Sequence, residues 1–167
     1  MAKTYDPIAT QTLGADQATI SFTSISGSYT DLVLVVNGQS TIAGTGANGI
    51  RVRLNGDTAT NYSQTGLFGN GTSAGSNRDS TINYMPLGEI GQTSGVNTTS
   101  ILQFMNYSNA TTYKTVLSRG NAANFEVNAS VGLWRATPAA ITQIDLNLSS
   151  GSYKAGSTFT LYGIKAA

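Results

Sequence analysis

In Ile50-Arg-Val-Arg-Leu54 apolar residues stand at every second position with arginines between them, and this period of two recurs along the chain. Successive side chains of a strand point to opposite faces, so Ile50, Val52 and Leu54 are expected inward, with Arg51 and Arg53 outward. No window holds the i, i+3, i+4, i+7 spacing of an amphipathic helix. The chain therefore reads as all-β, with strands expected at 18–25, 32–37, 50–55, 81–85, 100–107, 113–118, 127–135, 141–148 and 157–165.

Individual segments add detail. Leu32-Val-Leu-Val-Val36 has no polar face, which predicts a central strand covered on both sides, or one whose outer face meets another subunit. Ala140, Thr142, Ile144, Leu146 and Leu148 are expected inward, with Gln143, Asp145 and Asn147 outward. In Val131-Gly-Leu-Trp-Arg135, placing Val131 and Leu133 in the core turns Trp134 out. Turns are signalled by Ser26-Gly-Ser28, Asn37-Gly38, Asn55-Gly-Asp57, Ser149-Ser-Gly151 and Ala155-Gly-Ser157. The glycine-rich stretch from Gln64 to Arg78 reads as a long loop.

A single open sheet of so many short strands leaves one apolar face wet. Two packed sheets do not. The expected architecture is a single-domain antiparallel β-sandwich, jelly-roll-like, over residues 17–167. An extended N-terminal arm, residues 1–16, precedes it. That segment contains Pro7 and alternates only patchily, so alone it frays. In an assembly it lies along a neighbouring subunit, presenting Tyr5 and Ile8.

Composition narrows function more than fold. The 167 residues include no Cys and no His, which removes disulfides, thiolate and imidazole metal sites, Cys nucleophiles and Ser-His hydrolases. Nine Lys+Arg against eight Asp+Glu give a net charge of +1, far from a nucleic-acid-binding surface. The longest apolar run, Leu32 to Val36, is too short to span a bilayer, and no secretory signal is legible, so cytoplasmic synthesis is expected. On that basis the seven Asn-X-Ser/Thr triplets are not read as glycosylation sites.

Several motifs weaken on inspection. Gly44-Thr-Gly-Ala-Asn-Gly49 matches the dinucleotide-binding string, and Gly69-Asn-Gly-Thr-Ser-Ala74 a looser form of it, but no helix follows either. Asp57, Asp79, Glu89, Glu126 and Asp145 are the acids from which a glycosidase-like pair would have to come, yet turn and strand-end roles account for them. Asn55-Gly-Asp57 and Asn77-Arg-Asp79 offer hard oxygen ligands without an EF-hand spacing. No catalytic residue, cofactor or metal is assigned. What remains is a contact surface rich in Tyr, Asn, Ser and Thr, suited to protein or glycan partners. The candidate interface residues are Tyr5, Ile8, Arg51, Arg53, Tyr62, Trp134 and Arg135.

Six segments carry a family resemblance: Tyr29-Thr-Asp-Leu-Val-Leu-Val-Val36, Arg53-Leu-Asn-Gly-Asp-Thr-Ala-Thr-Asn-Tyr-Ser63, Phe104-Met-Asn-Tyr-Ser108 with Tyr113-Lys-Thr-Val-Leu-Ser118, Val131-Gly-Leu-Trp-Arg135, and Phe159-Thr-Leu-Tyr-Gly-Ile-Lys165. Together they resemble small virion structural proteins of tailed bacteriophages, cyanophages among them. The resemblance implies a non-enzymatic capsid decoration (cement) protein on the virion exterior, a homotrimer that bridges capsomers of the major capsid protein. A tail or tail-fibre component that binds host-surface glycan is the alternative. The absence of heptads, a repeat shaft and an attachment module favours cement. No nucleic-acid or membrane partner is implied.

Overall fold

The structure is a computed structural model that describes residues 4–92, 95–122 and 125–165. The alternating segments become twelve strands: β1 (Tyr5–Thr12), β2 (Thr19–Phe22), β3 (Asp31–Gly38), β4 (Ala47–Leu54), β5 (Tyr62–Gly69), β6 (Ala74–Ile82), β7 (Met85–Gly91), β8 (Thr98–Met105), β9 (Lys114–Ala122), β10 (Glu126–Trp134), β11 (Ile144–Leu148) and β12 (Thr158–Ile164). They form an eight-stranded sheet in the order β1-β12-β3-β8-β9-β10-β5-β6, and a four-stranded sheet in the order β2-β11-β4-β7. Every ladder within the sheets is antiparallel. The fold is thus the expected all-β, single-domain sandwich.

Its core lies between the small sheet and the β12-β3-β8 side of the large one. Leu32, Leu34 and Val36 of β3 meet Ile50, Val52 and Leu54 of β4 and Ile144, Leu146 and Leu148 of β11 within one apolar cluster. The alternation predicted for β4 therefore holds, with all three apolar residues fully buried. On the other face of β3, Val33 is buried outside that cluster, flanked across the ladders by Tyr162 and Gln103. For β11 the inward set begins only at Ile144. Upstream of it Thr142 is exposed and Ile141 buried, because the chain is not yet a strand there.

Three expectations are revised. Tyr5–Thr12, expected within an arm leaving the body, is laid along β12 of the same chain as an edge strand. A register shift between Pro7 and Ala9 interrupts that ladder at Ile8, which packs against the core. Lys165 Nζ pairs with Asp6 at 2.9 Å across the same edge. The expected loop over 64–78 is instead the β5–β6 hairpin, with Gly66, Gly69 and Gly75 inside strands. Its turn is closed by Asn70 Oδ1, which accepts from the backbone N–H groups of Thr72 and Ser73 at 3.1 and 2.8 Å, with Gly71 at φ +84°. Glycine-rich strands hide from a reading based on apolar alternation.

The third revision concerns Trp134 and Tyr62, both placed at an interface by sequence and both buried, at 5% and 0% exposure. Their rings stack, with centroids 6.5 Å apart. Trp134 Nε1 donates to Asp57 Oδ2 at 2.7 Å, and the Tyr62 hydroxyl donates to Asp57 O at 3.0 Å while accepting from Leu54 N at 3.1 Å. An indole gains most from burial when its N–H finds an acceptor, which Asp57 provides here. Burial works against the Asp57 charge, but the bonds from Trp134, Asn61 and Ala59 outweigh it and hold the carboxyl below its usual range. Asp57→Ala leaves the buried indole N–H unsatisfied, and urea unfolding is expected to show a loss of about 1–3 kcal/mol.

Candidate functional site: an apolar sheet face over a polar cavity

Trp134 fixes the phase of β10. With Trp134 inward, Gly132, Ser130, Asn128 and Glu126 share its face, and Leu133, Val131, Ala129 and Val127 face away. Val131 stands opposite Leu117 on β9, and Ala129 opposite Leu67 on β5. An aliphatic stripe therefore crosses the outer face of three adjacent strands. Leu67 is 62% exposed, Val127 58%, Val131 44% and Leu117 40%. Scattered exposed apolar residues are ordinary, whereas neighbours on adjoining strands make a contiguous apolar patch, which is a candidate docking surface. The registered positions around them are Ser63, Thr65, Thr115, Asn121 and Arg119, so the rim is largely uncharged.

The residues proposed from sequence do not converge on this stripe. Tyr5 is exposed at the β1 edge, against Tyr162 with ring centroids 6.4 Å apart. Arg51 lies 4.5 Å from the Tyr84 ring centroid, and Arg53 Nε donates to Asn83 O at 2.9 Å. Both arginines thus have partners within the chain, on the outside of the small sheet. Arg135 is exposed just beyond β10, where its backbone N–H donates to Asn61 O at 2.8 Å. Val131 was missed because the apolar set of its strand was expected inward, Leu67 because it lay in an expected loop, and Leu117 and Val127 were not singled out. The polar alternation Glu126, Asn128, Ser130 was the available signal of the opposite phase.

The inner face of the same strands is polar. β7, the edge of the small sheet, packs across β8, β9 and β10. Beneath it a cavity of about 120 Å3 is lined by Gln64, Asn77, Glu89, Glu126, Asn128 and Ser130, among others. Gly66 helps keep it open: a Cβ there would lie 2.5 Å from Asn77 Oδ1 and 3.0 Å from Ser130 Oγ. Of the acids considered from sequence, Glu89 and Glu126 are the two brought together. Asp57 is engaged as described, and Asp145 accepts from Ser21 Oγ at 2.6 Å and from Gln143 Nε2 at 2.8 Å. Glu89 and Glu126 lie within hydrogen-bonding reach of each other. Such contact leaves no room between them for the sugar or water of a glycosidase, whose carboxyls stand about 5 Å or more apart.

The two loops weighed as cation cages are otherwise occupied. Asn55 Oδ1 accepts from Thr142 N and Gln143 N, and Asn77 Oδ1 faces Gln64 Nε2 at 3.5 Å. Gly44–Gly49 runs into β4 and Gly69–Ala74 is a hairpin turn, so neither supplies a phosphate-binding helix end. Among the described residues no helix is long and apolar enough to cross a membrane. No protein-family model, curated protein or solved structure matches the chain.

Burial, with Glu126 adding to it, pushes the Glu89 carboxyl up to about 8. Below the unfolded value near 4.5 both states hold the proton. Between there and about 8 only the native state does, so stability falls as pH rises through that window and levels above it. In metal-free buffer the expected loss is on the order of 2 kcal/mol, discounted for solvent at the cavity mouth. Glu89→Gln removes that slope, which urea titrations at pH 5 and pH 8 will read.

Proposed function

We propose that this chain is a virion structural protein of a tailed bacteriophage, a capsid decoration protein that acts without catalysis. The observation that carries the reading is the exposed aliphatic stripe Leu67, Leu117, Val127 and Val131. Such a surface gains by excluding water against another apolar surface, and its hydroxyl, amide and guanidinium groups stand at the rim rather than in the centre. A protein partner therefore fits it better than a host glycan. On this reading the partner is the major capsid protein. A homotrimer of the chain sits at a local three-fold position on the shell exterior and ties adjacent capsomers together.

Topology supports the jelly-roll part of the proposal. Setting β1, β12 and the β8–β9 hairpin aside leaves β2-β11-β4-β7 facing β3-β10-β5-β6. That is two four-stranded sets in which, apart from the β5–β6 hairpin, strands placed side by side are distant in sequence, as in the double-sheet folds common in capsids and lectins. Because each shell site repeats many times, contacts of about 1 kcal/mol each accumulate into a large restraint on expansion.

Gel densitometry of purified particles is expected to give hundreds of copies per virion; a few dozen or fewer would overturn the cement reading in favour of a tail position. Val131→Asp alters an exposed position, so the isolated chain should keep its unfolding free energy within about 0.5 kcal/mol. The same substitution is expected to cut its incorporation into particles at least tenfold.

A further inference from the structure

We propose that the cavity beneath β7 is a binding site for a hard divalent cation of the calcium type, held by the carboxylates of Glu89 and Glu126 and the side-chain amide oxygens of Asn128 and Gln64. Four buried oxygens at this end of the sandwich have no hydrogen-bond partner: Gln64 Oε1, Glu89 Oε2, Asn128 Oδ1 and Ser118 Oγ. Three of those residues line the one cavity, and Ser118 stands opposite Ser130, which also lines it. Gln64 is only 5% exposed, so its free oxygen is a buried acceptor rather than a wet one. Buried acceptors are normally satisfied in native proteins, and a cluster of them left open marks a group that the protein itself does not supply.

The chemistry of that group follows from the donors. All are oxygens, two of them carboxylates, which matches the charge of a divalent cation and the hard ligands calcium takes at about 2.3–2.6 Å. No basic side chain fills the role. Arg119 stands opposite Ala129 on the outer face, and Lys114 Nζ donates to Thr112 O at 2.6 Å. Arg78 is paired with outward-facing Thr65. The volume of about 120 Å3 holds an ion with a few waters and is too small for a sugar. Gly66 leaves the space, since a side chain there would meet Asn77 Oδ1 at 2.5 Å and Ser130 Oγ at 3.0 Å. An ion at this point would tie β7 of the small sheet to β10 and β5 of the large one.

The test is calorimetric titration of CaCl2 into the full chain, stripped with EDTA, at pH 7.5. One ion per chain is expected, with Kd below about 1 mM, and Tm raised by about 5 °C in 10 mM CaCl2. Glu89→Gln and Glu126→Gln are each expected to weaken binding at least tenfold while leaving the far-ultraviolet circular dichroism unchanged. Glu89→Gln puts a neutral group of the same shape where Glu89 meets Glu126, so it is the variant that keeps the fold if the other does not. Absence of both heat and Tm shift up to 10 mM CaCl2 would overturn the proposal. So would an undiminished response in Glu89→Gln.

Discussion

The burial of Trp134 sets which way β10 faces, and through β10 it sets the character of half the large sheet. Its indole is stacked on Tyr62 and hydrogen-bonded to Asp57, so the last residue of the strand cannot turn outward without stranding a polar N–H and a large apolar area. The side-chain period of a strand is two, and fixing one residue fixes every other. Val127, Ala129, Val131 and Leu133 must then face away from the core. Leu117 and Leu67 join them through the β9–β10 and β10–β5 registers.

Two consequences share this origin. Outside, the sheet offers aliphatic side chains within a polar rim that includes Arg119 and Arg78, the face on which the proposed docking rests. Inside, the complementary set of Glu, Asn, Ser and Gly meets β7 across a small polar cavity instead of an apolar core. The sandwich is therefore asymmetric. Its β12-β3-β8 side is packed with Leu, Val and Phe against the small sheet, and supplies stability. Its β9-β10-β5 side forgoes part of that burial and supplies both the proposed docking face and the proposed cation site. The two proposals are separable, because one depends on outward residues and the other on inward ones.

Much of the architecture was legible from residues. Ile50-Arg-Val-Arg-Leu54 and Leu32 to Val36 fold as their patterns require, since apolar alternation reports burial directly where a strand faces the opposing sheet. The reading failed where that premise failed. In β10 the apolar set is the wet set, so treating Val131 and Leu133 as core inverted the strand and sent Trp134 to the outside. In β5 and β6, Gly66 and Gly75 resemble loop glycines because nothing in a local window shows that Asn77 and Phe68 on the paired strand need their small size. The pairing of Glu89 with Glu126 was likewise out of reach. It joins β7 to β10 across two sheets, and sequence separation carries no trace of it.

The most direct test of the account is carbene or hydroxyl-radical footprinting of Leu67, Leu117, Val127 and Val131, in the isolated chain and in the assembled particle. All four should label strongly in isolation, as their exposure requires, and lose most of that labelling on assembly, while the exposed Tyr5 edge serves as an internal comparison. Equal labelling of the four residues in both states would contradict the claim that the outward face of β9, β10 and β5 is where this protein meets its partner.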